Sequence, residues 1–504
     1  MEKHKNMSLD MLQKYHKHKG ILKTLIIGIL LGYIVSKLVT QNPSIALGAA
    51  AVSLPGTWLI ARYLFKDKTR GVFSKTQLLF FIPLTFLYIT AVPKIGTLPL
   101  SPVFFFLGIY ILYALVSPKG SISSLRQSTK KLFLLLLICW LYQYIITADF
   151  SEMGTMIDMQ AIEIVGIFCG VNCFVKNNGE RAIWATRILA LVLIISMAWF
   201  LAEVVYRDLA LVRAFIYASV LQTYGTRALA EATVYPNGLS QLLFLFGYQV
   251  SVSVPLTIIL FSIEKGKVWK IFWGIGCIVS LLAMICAAER SVMLAAASAV
   301  TFFLYSRKQI KFAVLLLALS LLTLFIFSHL EGSHEKHLMY RLQDEESGAE
   351  AFARLKLQLV GLVVIVKNPL GLTLTGRNWT DEVWSAGGNF DAWGGEETAV
   401  HNGYLGRVIP YGWIYGVLMA VVLLHLCKLI KKVSLFAKKN KERAQYAQAV
   451  SFSLIGVLIQ ACFHNASLFN FNAVSVTIAL LLSVWVDILT NDSCPKMKHV
   501  EGVQ

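Results

Sequence analysis

A series of apolar runs, most about 15 to 22 residues long, limits what this chain can fold into more than any other feature. A run of that length crosses a bilayer as a helix, because a helix satisfies its backbone N–H and C=O groups within one segment. Runs lie near 21–39, 44–65, 78–92, 102–116, 132–148, 160–175 and 188–205, then 241–262, 271–288, 291–305, 312–328, 408–427, 447–463 and 470–489. They predict an all-α, polytopic integral membrane protein with about fourteen transmembrane helices and both termini on one side. Composition agrees: 57% of the 504 residues are hydrophobic and only 15% are charged. Cleavable signal-peptide features are not evident at the basic N-terminus. The eight cysteines lie mostly inside the runs, as at Cys139, Cys169, Cys277 and Cys462, and read as small core residues, not a disulfide or metal framework.

Charge orients the runs. With the N-terminus inside, the inner segments hold Lys66, Lys68, Arg70 and Lys75, then Lys119, Arg126, Lys130 and Lys131. Lys265, Lys267 and Lys270 follow, then Arg307, Lys308 and Lys311, then a lysine-rich segment at 428–446. Every short basic loop falls on one side, as the positive-inside rule requires. The net charge of +18 is therefore mainly a topology signal and does not call for a nucleic-acid partner. The chain divides into N-terminal helices (1–205), a first large periplasmic loop (206–240), more helices (241–328), a second large loop (329–407), C-terminal helices (408–490) and a cytoplasmic tail (491–504).

The two large outer loops favour arginine: Arg207, Arg213, Arg227, Arg341, Arg354, Arg377 and Arg407. A guanidinium presents a planar fork of donors that matches phosphate, so this face suits an anionic ligand such as a diphosphate. The alternative is that long outer loops escape the charge rule. Within 329–407, Phe352, Leu355, Leu359, Leu362, Val363 and Val366 share one helical stripe, opposite Arg354, Gln358 and Gly361. This pattern predicts an amphipathic helix on the outer membrane surface, stopped by Asn368-Pro369-Leu370-Gly371.

From Val400 to Gly416 the polar loop ends and an apolar helix begins, which puts His401 and Asn402 at the membrane boundary. The stretch reads H-N, nine residues, then G-x-x-Y, with Gly412 and Tyr415 in the last places. It resembles the signature of the O-antigen ligase and polymerase family. A plainer reading is a histidine at the start of a transmembrane helix. Arg290 to Leu294 resembles the R-x-x-x-L motif of that family, although Glu289 is an adjacent candidate partner for the arginine. Arg354 with its apolar helix and N-P-L-G resembles the corresponding loop, and Arg227 ahead of Pro236-Asn237 resembles another arginine position. The similarity covers roughly residues 210 to 490.

The resemblance implies a GT-C-like membrane glycosyltransferase of the bacterial inner membrane. It would move a glycan from undecaprenyl diphosphate to an acceptor hydroxyl on the periplasmic side, as polymerase or ligase in lipopolysaccharide biosynthesis. The acceptor would be a growing glycan or lipid A core, and a chain-length regulator is a further possible partner. His401 would take the acceptor proton; Arg290, Arg354 and Arg227 would hold the diphosphate; no metal or other cofactor is implied. Asn402, Gly412, Tyr415 and Leu294 would support these groups. Trp379, Trp384 and Trp393 stand among glycines and acids in 379–398, where aromatic faces suit sugar rings; the alternative is an interfacial tryptophan belt. His464-Asn465 repeats the dipeptide, but Ser475 replaces the motif glycine, so His464 reads as structural. A transporter or flippase is the other class; it would suit intramembrane acids such as Glu163 and Glu203, but no inverted repeat is evident.

Overall fold

The computed structural model describes residues 94–95, 98–99, 127–147, 164–172, 174–175, 178–205, 236, 238, 240, 243–287, 289–309, 345–388, 400–438, 442–464 and 467–492. The expected spans at 21–39, 44–65, 78–92, 102–116 and 312–328 lie outside them, as do Arg227 and Trp393. Two compact units are present, and the helices below belong to the one made of Phe80–Thr90, Val103–Ala210 and Val234–Gln504. The other unit contains an antiparallel pairing of β1 (Lys94–Ile95) with β2 (Leu98–Pro99).

The larger unit contains α1 (Gln127–Ile146), α2 (Gly179–Val205), α3 (Leu243–Ile263), α4 (Lys267–Ala287), α5 (Arg290–Ser306) and α6 (Glu345–Lys367). The short α7 (Leu372–Thr375) and α8 (Trp379–Ser385) precede α9 (Leu405–Lys438), α10 (Glu442–Gln460) and α11 (Ala473–Asn491), with a 3₁₀ turn at Leu468–Asn470 before α11. Among the described residues, six helices are long and apolar enough to cross a membrane: α1, α2, α3, α4, α9 and α11.

The packing is that of helices in lipid. On α4 the exposed residues include Val268, Ile271, Ile275, Ile278, Leu282 and Ile285, one continuous stripe at helical spacing. Its inward residues are Trp273, Gly276, Ser280, Ala283 and Ala287. A soluble helix would turn its branched aliphatic stripe inward. The expected span at 447–463 corresponds to α10, which is not among the six, because it carries Glu442, Arg443, Gln448, Ser451, Ser453 and Gln460. Its neighbours explain how it is tolerated: α10 packs against α3, α5, α9 and α11 and is buried along most of its length. Ser453 Oγ donates to the Ala449 carbonyl at 2.8 Å, and Gln460 Nε2 donates to Ser291 Oγ at 3.2 Å.

The segment 428–446, expected as an inner loop, is mostly helix. α9 continues to Lys438 because Leu429 and Val433 prolong its buried face and no Gly or Pro lies between Val417 and Lys438. α2 begins at Gly179, earlier than expected, where Asn178 Oδ1 accepts from the Glu180 and Arg181 N–H groups at 2.9 and 3.3 Å.

Helix ends that the charge pattern puts on the inner side meet one another. Arg187 of α2 forks onto Glu264, with Nε–Oε1 at 2.8 Å and Nη2–Oε2 at 2.9 Å, and Nη2 also reaches the Tyr446 hydroxyl of α10 at 3.2 Å. Trp269 lies beneath that guanidinium, 4.5 Å from ring centroid to Cζ. Nearby, buried Asp487 of α11 caps α1, accepting from Ser128 N at 3.1 Å, Thr129 N at 2.9 Å and Thr129 Oγ1 at 2.7 Å. A carboxylate there satisfies orphan amides and complements the helix dipole.

Candidate functional site at the mouth of α9

The opposite ends of the helices converge on the start of α9. Asn402 caps it: Oδ1 accepts from Tyr404 N and Leu405 N, each at 3.0 Å. Its Nδ2 donates to the Cys462 carbonyl at 3.1 Å, and Gly403 N donates to Ala461 O at 2.8 Å. The Tyr404 hydroxyl donates to Leu458 O at 2.8 Å. The motif asparagine therefore fixes α9 against the end of α10. His401 is half-buried just before this cap, with φ 44°, in the left-handed region that few side chains other than Asn, Asp and His occupy. Gln358 Nε2 of α6 donates to its carbonyl at 3.4 Å. Helix cap, left-handed turn and covering helix together set where the His401 side chain emerges.

Gly412 interrupts α9 with φ 77° and ψ −172°, a conformation open almost only to glycine. A Cβ there would lie 2.5 Å from Leu370 C and 2.6 Å from Pro369 O. Gly371 is the reciprocal position, at φ 88°; its Cβ would lie 2.4 Å from Pro410 O and 2.5 Å from Gly412 N. Trp413 closes the joint, donating N to Pro369 O at 2.8 Å and Nε1 to Ile365 O at 3.1 Å. The N-P-L-G step that ends α6 and the motif glycine of α9 thus form one backbone interlock. Tyr415 is fully buried; Gln143 Nε2 of α1 donates to its hydroxyl, and also donates to Phe469 O at 3.0 Å. This tyrosine joins α1, α9 and the 3₁₀ turn.

α6 follows its expected pattern. Leu355, Leu359, Leu362, Val363 and Val366 face outward, while Leu357, Val364 and Ile365 are buried against α8 and α9. The stretch from 379, expected as an adaptable aromatic loop, begins instead with helix α8, capped by Asn378 Oδ1 on Thr380 N at 3.0 Å. Trp379 is half-buried at the start of this helix. Its ring packs against Leu357, Val360 and Val383, because the short helix needs an apolar anchor on α6. Trp384 is 44% exposed and remains accessible.

Asn368 holds α6 to α8: Nδ2 donates to Glu382 Oε2 at 2.8 Å and to Val364 O at 3.1 Å. Arg377 Nη1 donates to Glu382 Oε1 at 2.9 Å. The Asn368 hydrogen bond, then the Arg377 pair, hold the Glu382 carboxyl below its ordinary value of 4.5. A depressed folded-state value means that its stabilisation is complete above 4.5 and is lost as pH falls through the lower folded value. Glu382→Gln should therefore lower the melting temperature at neutral pH, and the gap to wild type should shrink on acidification below that range. An equal gap across the whole pH range would show that the clamp does not depend on ionised Glu382.

The remaining residues are placed as follows. Arg290 is the first residue of α5 and Arg354 lies within α6; both side chains lie outside the described residues. Leu294 is half-buried on α5. In the turn before α3, Gly238 N donates to Oε2 of buried Glu203 at 3.3 Å. Glu289 turns toward His464, with Oε2–Nε2 at 3.8 Å, and Ser291 Oγ lies 3.0 Å from the same nitrogen. His464 thus engages both chain neighbours of Arg290. A serine–histidine–acid relay is excluded, since it needs acid and serine on opposite ring nitrogens. This grouping was not read from the sequence; its signal was that E-R-S and the second H-N both fall at outer ends of apolar runs. Among the described residues, no three His, Cys, Asp or Glu side chains gather into a metal site.

What this mouth offers chemically is a histidine in a constrained turn and a capped helix terminus, with α5 starting at this end and α6 covering it. No family model matches the chain, and no curated protein matches it.

Proposed function

We propose that the protein is an inner-membrane glycosyltransferase of GT-C-like architecture, with about fourteen transmembrane helices. It moves a glycan from undecaprenyl diphosphate to an acceptor hydroxyl on the periplasmic side, as a surface-polysaccharide polymerase or O-antigen ligase. His401 accepts the acceptor proton, and the arginines at 290 and 354 stabilise the charge that develops on the departing diphosphate. The diphosphate already activates the sugar, so no nucleotide is consumed. One observation supports this reading best: the fixed positions of the His-Asn motif act together around one helix mouth. Asn402 caps it, Gly412 locks it to the covering loop, Tyr415 anchors its far side, and His401 is left at the opening.

The test is to incubate the purified protein with lipid-linked oligosaccharide, with and without lipid A core. Polymerase activity should give a ladder of lengthened lipid-linked glycan; ligase activity should give a product only with core present. No transfer to either acceptor, from protein that retains its helical fold, would overturn the proposal.

A further inference from the structure

Arg407 lies in the first turn of α9, six residues after His401. Its hydrogen-bond partner is an amide, where three other described arginines meet a carboxylate. Among the described residues, Arg187 forks onto Glu264, Arg377 pairs with Glu382, and Arg443 pairs with Glu180 and Asp492. Arg407 instead donates Nε to the neutral amide oxygen Oδ1 of Asn470 at 2.7 Å. That oxygen is also 3.1 Å from Ser467 Oγ, which is 3.1 Å from the Gly403 carbonyl, so the 3₁₀ turn that holds Arg407 is tied to the motif segment itself. Nε is engaged, while Nη1 and Nη2 form no hydrogen bond with any described residue.

Helix stability does not account for the placement. A cation in the first turn opposes the helix dipole, and that turn carries no acid. The side chain is half-buried, where an uncompensated charge is costly. A neutral partner orients the guanidinium without cancelling its charge and leaves both Nη groups for a planar pair of anionic oxygens.

We infer that Arg407 binds a phosphate of the lipid-linked diphosphate donor, as a further donor-binding residue at the His401 mouth; this rests on the proposed transferase reading. The competing role is a brace for the 3₁₀ turn. Arg407→Gln separates them, since glutamine can still donate to Asn470 but carries no charge.

The full-length protein in detergent is titrated with undecaprenyl diphosphate, with undecaprenol, and with inorganic pyrophosphate as competitor. Wild type should bind the diphosphate lipid, with pyrophosphate competing if the headgroup alone is recognised and not competing if the lipid is also required. Arg407→Gln should raise Kd for the diphosphate lipid about tenfold or more, at unchanged melting temperature and unchanged undecaprenol binding. Wild-type affinity in Arg407→Gln overturns the assignment and leaves the transferase reading intact. Equal weakening toward undecaprenol, or a matching drop in melting temperature, identifies the brace and also overturns it. Failure of wild type to bind the diphosphate lipid overturns both.

Discussion

Replacing His401 should reduce glycan transfer by about a hundredfold to ten-thousandfold, the range that general-base help supplies. His401→Asn is the cleaner variant. Asparagine tolerates a φ of 44°, so strain is not introduced together with the loss of the imidazole. The hydrogen bond from Gln358 is received by the backbone carbonyl of His401, which every substitution keeps. His464→Ala provides the contrast. It removes the 3.0 Å contact with Ser291 Oγ, which keeps its hydrogen bond from Gln460 Nε2, and a lost hydrogen bond costs about 0.5–1.5 kcal/mol. His464→Ala should thus melt earlier but retain transfer per folded molecule within about tenfold, below the range for loss of a base. Melting temperature and initial rate, measured on the same preparation, separate the two. Equal loss of rate in both variants would point to packing of the α9–α10 joint, and a fully active His401→Asn would remove the imidazole from the chemistry.

Gly412→Ala should be severely destabilising for a single added methyl group. A side chain in this backbone region costs about 1–3 kcal/mol by itself. The added carbon would also lie 2.5 Å from Leu370 C and 2.7 Å from Gly371 N, which are backbone atoms that cannot rotate away. Together these effects place the loss in the exceptional range above about 4 kcal/mol. Gly416→Ala on the same helix is the control, since its Cβ would meet Val408 Cγ2 at an ordinary 3.5 Å. Thermal unfolding in detergent should show a large drop for Gly412→Ala and little change for Gly416→Ala. Similar melting of both variants would mean that the interlock yields easily and does not position the motif.

The spacing after His401-Asn402 draws attention to Gly412, but nothing local to it indicates Gly371 as its counterpart. Sequence pattern indicated that a Pro-Gly step ends α6 and that a glycine sits in α9. Their pairing brings together backbone segments forty-one residues apart in the chain. The same division runs through the site. The outward stripe of α6 and the apolar length of α1, α2, α4 and α11 were legible, because each follows from residues within a turn or two, whereas the capping role of Asn402 came from the structure. Nothing local to Trp379 indicated that it packs against Leu357 and Val383, which lie on two different helices.

Polar residues inside the apolar helices were the least legible. A buried donor or charge must find its partner within the protein, and in a bundle that partner lies on another helix. Asp487 caps α1 from 358 residues away, Glu264 receives Arg187 across 77, and Gln460 reaches Ser291 across 169. Burial of α10 follows from the same satisfaction; the run at 447–463 predicted a span but not the polar residues' partners. The sequence by itself determined where the main apolar helices lie and the apolar stripe of α6, because these depend on local periodicity; the early start of α2, the extension of α9 to Lys438 and the helix α8 came from the structure. The tertiary structure decided which arginine meets a carboxylate and which meets only an amide, because charge compensation depends on neighbours that chain order does not specify.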